Sequence, residues 1–201
     1  MTYSYSQLTN LLSKLMPRTS NKREKLLAAA RELIHQQGYR HTTLAEIAER
    51  SEVPLGNVYY YFKTKDDLAA AVIKEHLESF VAQFKRWDVD IVMPRARLEA
   101  LLDYLESLRD VLAEAGCPIG SLCQELSKED GPLAAQAGDI LTFQLDWVER
   151  QFAAMGSVNP RALAMELVTN LQGISLLANS LSDAEMVSQQ VARLRRWLDR
   201  L

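Results

Sequence analysis

Apolar residues recur at helical spacing along most of this chain. Leu26, Leu27, Ala30, Leu33 and Ile34 fall on one face of a helix, with Ser20 as its predicted N-cap and Gly38 as its stop. Leu44, Ile47 and Ala48 form the inner face of a short second helix. Thr42 and Thr43 offer its cap, and Glu46 stands three residues after Thr43, the capping-box spacing. A tight turn at Ser51–Val53 follows, and Pro54 suits the first turn of a third helix, where its missing N–H is not needed. Val58 and Phe62, four apart, share the buried side of that helix. A fourth helix starts near Thr64 and carries Leu68, Val72, Ile73, Leu77, Phe80, Val81 and Phe84 on one stripe.

The remainder also reads as helices. Leu98, Leu101, Leu102, Leu105, Leu108 and Leu112 predict one helix that ends at Gly116. A short helix from Pro118 to about Ser127 is next, then a long one carrying Leu133, Ala137, Ile140, Leu141, Leu145, Val148 and Phe152. The last two open at Asn159-Pro160 and Ser182-Asp183. Loops are expected near Val89–Pro94 and at the Ser127–Pro132 turn.

Two short helices joined by a turn of three or four residues make a helix-turn-helix, whose second helix enters the DNA major groove. That reading gives a use to the run of Tyr59, Tyr60, Tyr61, Phe62 and Lys63, more aromatic surface than one helix face can bury. Asn57 can bond a base edge or a phosphate, and Gly56 lets the backbone come close. Tyr59 and Tyr60 can give hydroxyls to phosphates, and Lys63 and Lys65 can neutralise them. An aromatic cluster is usually core; here the order of the surrounding elements favours the DNA-facing reading.

Charge supports a division of labour. The whole chain of 201 residues has a net charge of −3, which by itself does not advertise a nucleic-acid partner. Pro17–Glu75 carries +2, however, and His76–Leu201 carries −6. Two cysteines are too few for a disulfide scaffold and suit a reducing, cytoplasmic setting. No apolar run is long enough to span a membrane, and no signal peptide is expected. An enzyme is not expected: there is no phosphate-binding glycine loop, no dinucleotide fingerprint and no metal-ligand spacing, and His35, His41 and His76 are scattered.

The stretch LLAAARELIHQQGYRHTTLAEIAERSEVPLGNVYYYFKTKDDL resembles the DNA-binding domain of the TetR family of transcriptional regulators, over roughly a quarter of the chain. The resemblance implies an all-α protein. A three-helix DNA-binding domain spans residues 17–64, and a larger helical effector-binding and dimerisation domain spans 65–201; residues 1–16 are set apart as an N-terminal extension. It also implies that Thr43 meets phosphate, that Gly56, Asn57, Tyr59, Tyr60 and Tyr61 lie at the groove, and that Lys63 and Lys65 lie on the backbone. Pro54 and Leu55 depart from the small polar and basic residues common in that family; Leu55 is suited to a thymine methyl.

The function expected is a repressor that binds a palindromic DNA operator as a homodimer and is released by an unidentified small-molecule effector, with no cofactor. The alternative is a DNA-binding protein without an effector, controlled by cysteine modification or a protein partner. The effector is placed around Leu105, Cys123, Phe143, Trp147 and Leu176. Dimer contacts are placed on the last two helices at Met165, Val168, Leu171, Gln172, Ser175, Val187, Val191, Leu194 and Leu198. Cys117 is expected just before a helix, where the N-terminus favours its thiolate and makes it a candidate thiol sensor. Cys123 is six residues on along that helix, too far for a disulfide. The first sixteen residues show a faint amphipathic pattern, read either as a helical arm or as sequence ahead of a start at Met16.

Overall fold

The computed structural model describes residues 21–128 and 131–201; the expected N-terminal arm and the Ser20 cap lie outside them. The described residues form ten helices and no strand. They are α1 (Lys22–Gln37), α2 (Leu44–Arg50), α3 (Leu55–Tyr61), α4 (Lys65–Asp90), α5 (Pro94–Ser107), α6 (Arg109–Ala115), α7 (Pro118–Leu126), α8 (Pro132–Ala154), α9 (Pro160–Leu181) and α10 (Ala184–Leu198).

Local chemistry sets most of these boundaries. Thr43 caps α2 in a complete capping box: its side chain accepts from the Glu46 N–H at 3.2 Å, and the Glu46 carboxylate accepts from the Thr43 N–H at 2.8 Å. Thr64 and Asp67 repeat the device at α4, with both bonds at 3.0 Å. Proline opens α5, α7, α8 and α9, where its fixed φ costs nothing. The predicted helix from Leu98 to Leu112 is broken in two. Leu108 leaves helical geometry (φ −97°, ψ 3°) between α5 and α6, so α6 turns to pack against α9 and α10. The apolar repeat continues across this bend, which hid it.

Two cores result. The first joins Leu26, Ile34, Ile47, Val58, Phe62, Leu68 and Val72 to Ile119, Leu122 and Leu126 of α7 and to Ala137 and Ile140 of α8. The second gathers Phe84, Leu98, Leu102, Trp147, Phe152, Leu167 and Leu171 with Val187, Val191, Leu194 and Leu198. The division between them passes through α4, after Ile73 and before Phe84. The α1–α3 unit is therefore seated on α4 and α7 through α1, and α8 completes the same core from behind them.

Packing corrects the expected dimer surface. Val168, Leu171, Ser175, Val187, Val191, Leu194 and Leu198 are all buried within the chain. Two amphipathic faces that look alike in sequence are thus divided: the apolar stripe of α10 faces inward onto α5 and α6, and its outward side is polar or charged at Glu185, Gln189, Arg193 and Arg196. Of the expected contacts, Met165 is exposed and Gln172 half-buried. Met165 lies on the outward side of α9, which also exposes Leu176, Leu177 and Leu181, whereas Gln172 turns toward α7.

Candidate nucleic-acid interface and effector cavity

The turn between α2 and α3 is held from below. Ser51 donates to the Ala48 carbonyl at 3.1 Å, and the Val53 N–H reaches the same carbonyl at 3.0 Å. Glu52, between them, is forced to φ 56°, a left-handed conformation unusual for a residue with a Cβ. Val58 and Phe62 then anchor α3 in the core, and the opposite face is turned outward. Leu55 is 41% exposed, Tyr59 48% and Tyr60 76%, a large apolar and phenolic surface to leave in water. Gly56 is exposed beside them and Asn57 is half-buried. Tyr61 turns the other way, edge-on to Tyr60 at 5.0 Å and packed against the first core.

The cations divide between two tasks. Lys63 lies at the end of α3, exposed, with its ammonium on the Tyr59 carbonyl at 3.0 Å and two donors left over. Lys65 is folded back. It donates to the Tyr39 and Arg40 carbonyls at 2.9 and 3.2 Å and lies 4.3 Å over the Tyr39 ring. Its place is to fix the α1–α2 turn rather than to project from the surface. The Thr43 hydroxyl is likewise engaged, donating to Glu46 at 2.8 Å, and that bond is the first cause holding the Glu46 carboxyl below its ordinary range. An acidic group thus shares the end of α2 where a phosphate contact is expected.

The same α1–α2 turn is gripped from the other side by α7. The Glu125 carboxylate accepts the Tyr39 and Arg40 N–H groups, each at 2.7 Å. Two successive residues therefore give their carbonyls to Lys65 and their amides to Glu125. The Tyr39 hydroxyl adds a short bond to Asp66. Gly38 makes the approach possible: its φ is 84°, and a Cβ there would stand 3.1 Å from the Glu125 carboxylate. A second tie, the His35 ring to the Gly116 carbonyl at 2.9 Å, joins α1 to the residue that ends α6. Sequence reading missed Glu125, because nothing local marks a carboxylate whose partners are 85 and 86 positions away.

The expected effector lining is only partly brought together. Phe143 and Trp147 belong to a filled aromatic stack: Phe84 lies 4.5 Å from Trp147, 5.7 Å from Phe143 and 5.1 Å from Trp87, ring centre to ring centre. The Trp147 indole N–H is bonded to Asp88 at 3.1 Å, so neither ring is free to line a hole. Cys123 packs with the first core and Leu176 faces outward on α9. Leu105 alone of the five borders a partly open cavity of about 70 Å³, between α4, α5, α6, α7, α8 and α9. Phe80, Tyr104, Cys117, Ile119, Gln144 and Gln172 share its wall.

Cys117 does cap α7, its sulfur accepting the Gly120 N–H at 3.3 Å. Burial nevertheless outweighs the helix terminus and pushes the Cys117 thiol up, against the expected thiolate. Burial also pushes Cys123 up to about 11, and its S–H donates to the Ala137 carbonyl at 3.1 Å.

Comparison with known proteins agrees with this architecture. Residues 26–72 match the family model for bacterial regulatory proteins of the tetR family. An uncharacterized HTH-type transcriptional regulator of Lactococcus lactis is 27% identical, over 90% of this chain and 95% of that one. The regulator QacR of Staphylococcus aureus is 38% identical over 66 residues, 33% of this chain and 35% of that one. A crystal structure of a TetR transcriptional regulator from Legionella pneumophila superposes with a TM-score of 0.80 at 22% identity, over 92% of this chain and 98% of that one.

Proposed function

We propose that this chain is a helix-turn-helix transcriptional regulator of the TetR family, a dimeric, cytoplasmic repressor relieved by a small molecule. The observation that carries the reading is the outward face of α3, where Leu55, Gly56, Tyr59 and Tyr60 are exposed beside Lys63. On a duplex, the tyrosine hydroxyls and the Lys63 ammonium position the protein on phosphates, and Leu55 and Asn57 lie nearest the base edges. One such helix covers only a few base pairs. A two-fold dimer places two of them one helical turn apart on a palindrome. The exposed apolar face of α9, with Met165, Leu176, Leu177 and Leu181, supplies a surface for that pairing.

Regulation follows from the two cores. A ligand that enlarges the cavity at Leu105 presses on Cys117 and Ile119 of α7. Through Glu125, α7 holds the α1–α2 turn, and through Lys65 that turn is tied to the start of α4. A ligand with unequal affinity for two α7 positions therefore shifts the spacing of the two α3 helices. The test is selection of binding sites from random duplex DNA by the purified protein. An inverted repeat is expected; enrichment of an unpaired half-site, or no enrichment, counts against the reading.

A further inference from the structure

The inward stripe of α8 carries two glutamines among its apolar residues, Gln144 and Gln151, seven positions apart and both nearly buried, at 6% and 3% exposure. Their fates differ. The Gln151 amide donates to the Trp147 carbonyl at 3.2 Å and accepts from Arg97 at 3.2 Å. The Gln144 amide forms no hydrogen bond with any described residue. It is not sealed in either, and what it borders is the cavity beside Leu105. An amide that opens onto a cavity is satisfied by whatever fills it, water or a ligand able to replace that water's hydrogen bonds.

The rest of the wall restricts what that can be. Among the described residues, no Lys, Arg, Asp, Glu or His lines the cavity. A charged ligand entering it would lose its hydration with no counter-charge to replace it. Apolar side chains from α4, α5 and α6 make up much of the surface, which suits an aliphatic or aromatic body. Three other polar side chains share the wall: the Tyr104 phenol on α5, the Ser175 hydroxyl, committed as a donor to the Leu171 carbonyl at 2.9 Å, and Gln172 beside Cys117. Gln144 is the buried group that offers a separate donor and acceptor side by side on one planar edge, where the Tyr104 hydroxyl offers a single oxygen. A cavity of about 70 Å³ admits only a small body as it stands, so a larger ligand must open it.

Resting on the effector reading above, we propose that the cavity takes a small uncharged molecule bearing a donor and an acceptor on one edge, of the carboxamide or lactam class, and that Gln144 recognises that edge. The Gln144 carbonyl accepts the ligand N–H and its NH₂ donates to the ligand carbonyl, while the apolar remainder lies against Leu105 and Phe80. A site built to bond such an edge rejects an isostere that lacks the donor, because its own amide is then left unpaired.

Three isosteres with one isopropyl body test this: isobutyramide, the ketone 3-methyl-2-butanone, and isobutyrate. Binding is read from the side-chain ¹⁵N–¹H₂ resonance of Gln144 and from titration shifts of cavity residues. The intact protein is compared with Gln144→Leu. In the wild type, isobutyramide should shift the Gln144 side-chain resonance and bind at least ten times more tightly than the ketone or the carboxylate. Gln144→Leu should abolish the preference and melt close to the wild type, since no hydrogen bond to a described residue is lost; a markedly lower melting point would assign Gln144 a structural role and overturn the proposal. Equal binding of amide and ketone to the wild type, or binding of none of the three, also overturns it. Selective amide binding that leaves operator affinity untouched upholds the recognition by Gln144 and counts instead against the effector reading.

Discussion

Replacing Glu125 by Ala tests how the two halves of the molecule are joined. The substitution removes the acceptor for two backbone amides, each held at 2.7 Å by a carboxylate. Hydrogen bonds to a charged group contribute about 1.5–3 kcal/mol each when buried. Here one bond is partly buried and the other exposed, so water replaces much of what is lost. A total of roughly 1–3 kcal/mol is the reasonable expectation. That local destabilisation corresponds to about five- to 150-fold faster exchange of the Tyr39 and Arg40 amide hydrogens. Native-state hydrogen exchange reads both positions directly. Glu125→Gln, which keeps an acceptor oxygen, should fall between the wild type and Glu125→Ala. The α7 coupling also predicts that any compound that releases the wild type from DNA releases Glu125→Ala less completely. Unchanged exchange at both amides, together with an unchanged response to such a compound, would refute the clamp.

Three further expectations follow. Burial first, then Arg31 and His35, hold the His76 pKa at about 4, below its ordinary 6.5. Between those values the unfolded chain binds a proton that the folded chain does not, so stability is full above pH 6.5 and is lost as pH falls to about 4. The loss is on the order of 2–3 kcal/mol, and urea denaturation of wild type against His76→Gln should show the variant with a flatter profile. Glu52→Gly relieves the left-handed residue in the α2–α3 turn and should raise stability by up to about 1 kcal/mol; a lower urea midpoint would contradict the assigned strain. Both thiols, raised by burial, should alkylate slowly in the folded protein at neutral pH, and rapid selective labelling of Cys117 would restore the sensor reading.

The helix-turn-helix was legible in the sequence because its signals are local. A capping box needs only Thr43 and Glu46, three positions apart, and the outward tyrosines follow from Val58 and Phe62 facing in. The second half was less legible because its questions are long-range. Periodicity marks one apolar face on α10 but not whether Val187 and Leu194 meet α5 of the same chain or a second subunit. It places Trp147 inward but not in a filled stack with Phe84 rather than at a cavity. The bend at Leu108 leaves the leucine repeat intact and so leaves no trace. One clue was available: Gln144, a polar residue on the stripe of Ile140, Trp147 and Val148, was a candidate for the cavity wall.

The salt dependence of operator binding, measured for the wild type and for Lys63→Ala, tests the central claim most directly. Each phosphate contact to duplex DNA adds about 0.9 to the slope of log affinity against log salt. A dimer that presents Lys63 from both α3 helices should lose two contacts on substitution, and its slope should become shallower by about 1.8. A change of about 0.9 would fit a single engaged subunit. An unchanged slope would place Lys63, and with it the exposed face of α3, away from the DNA.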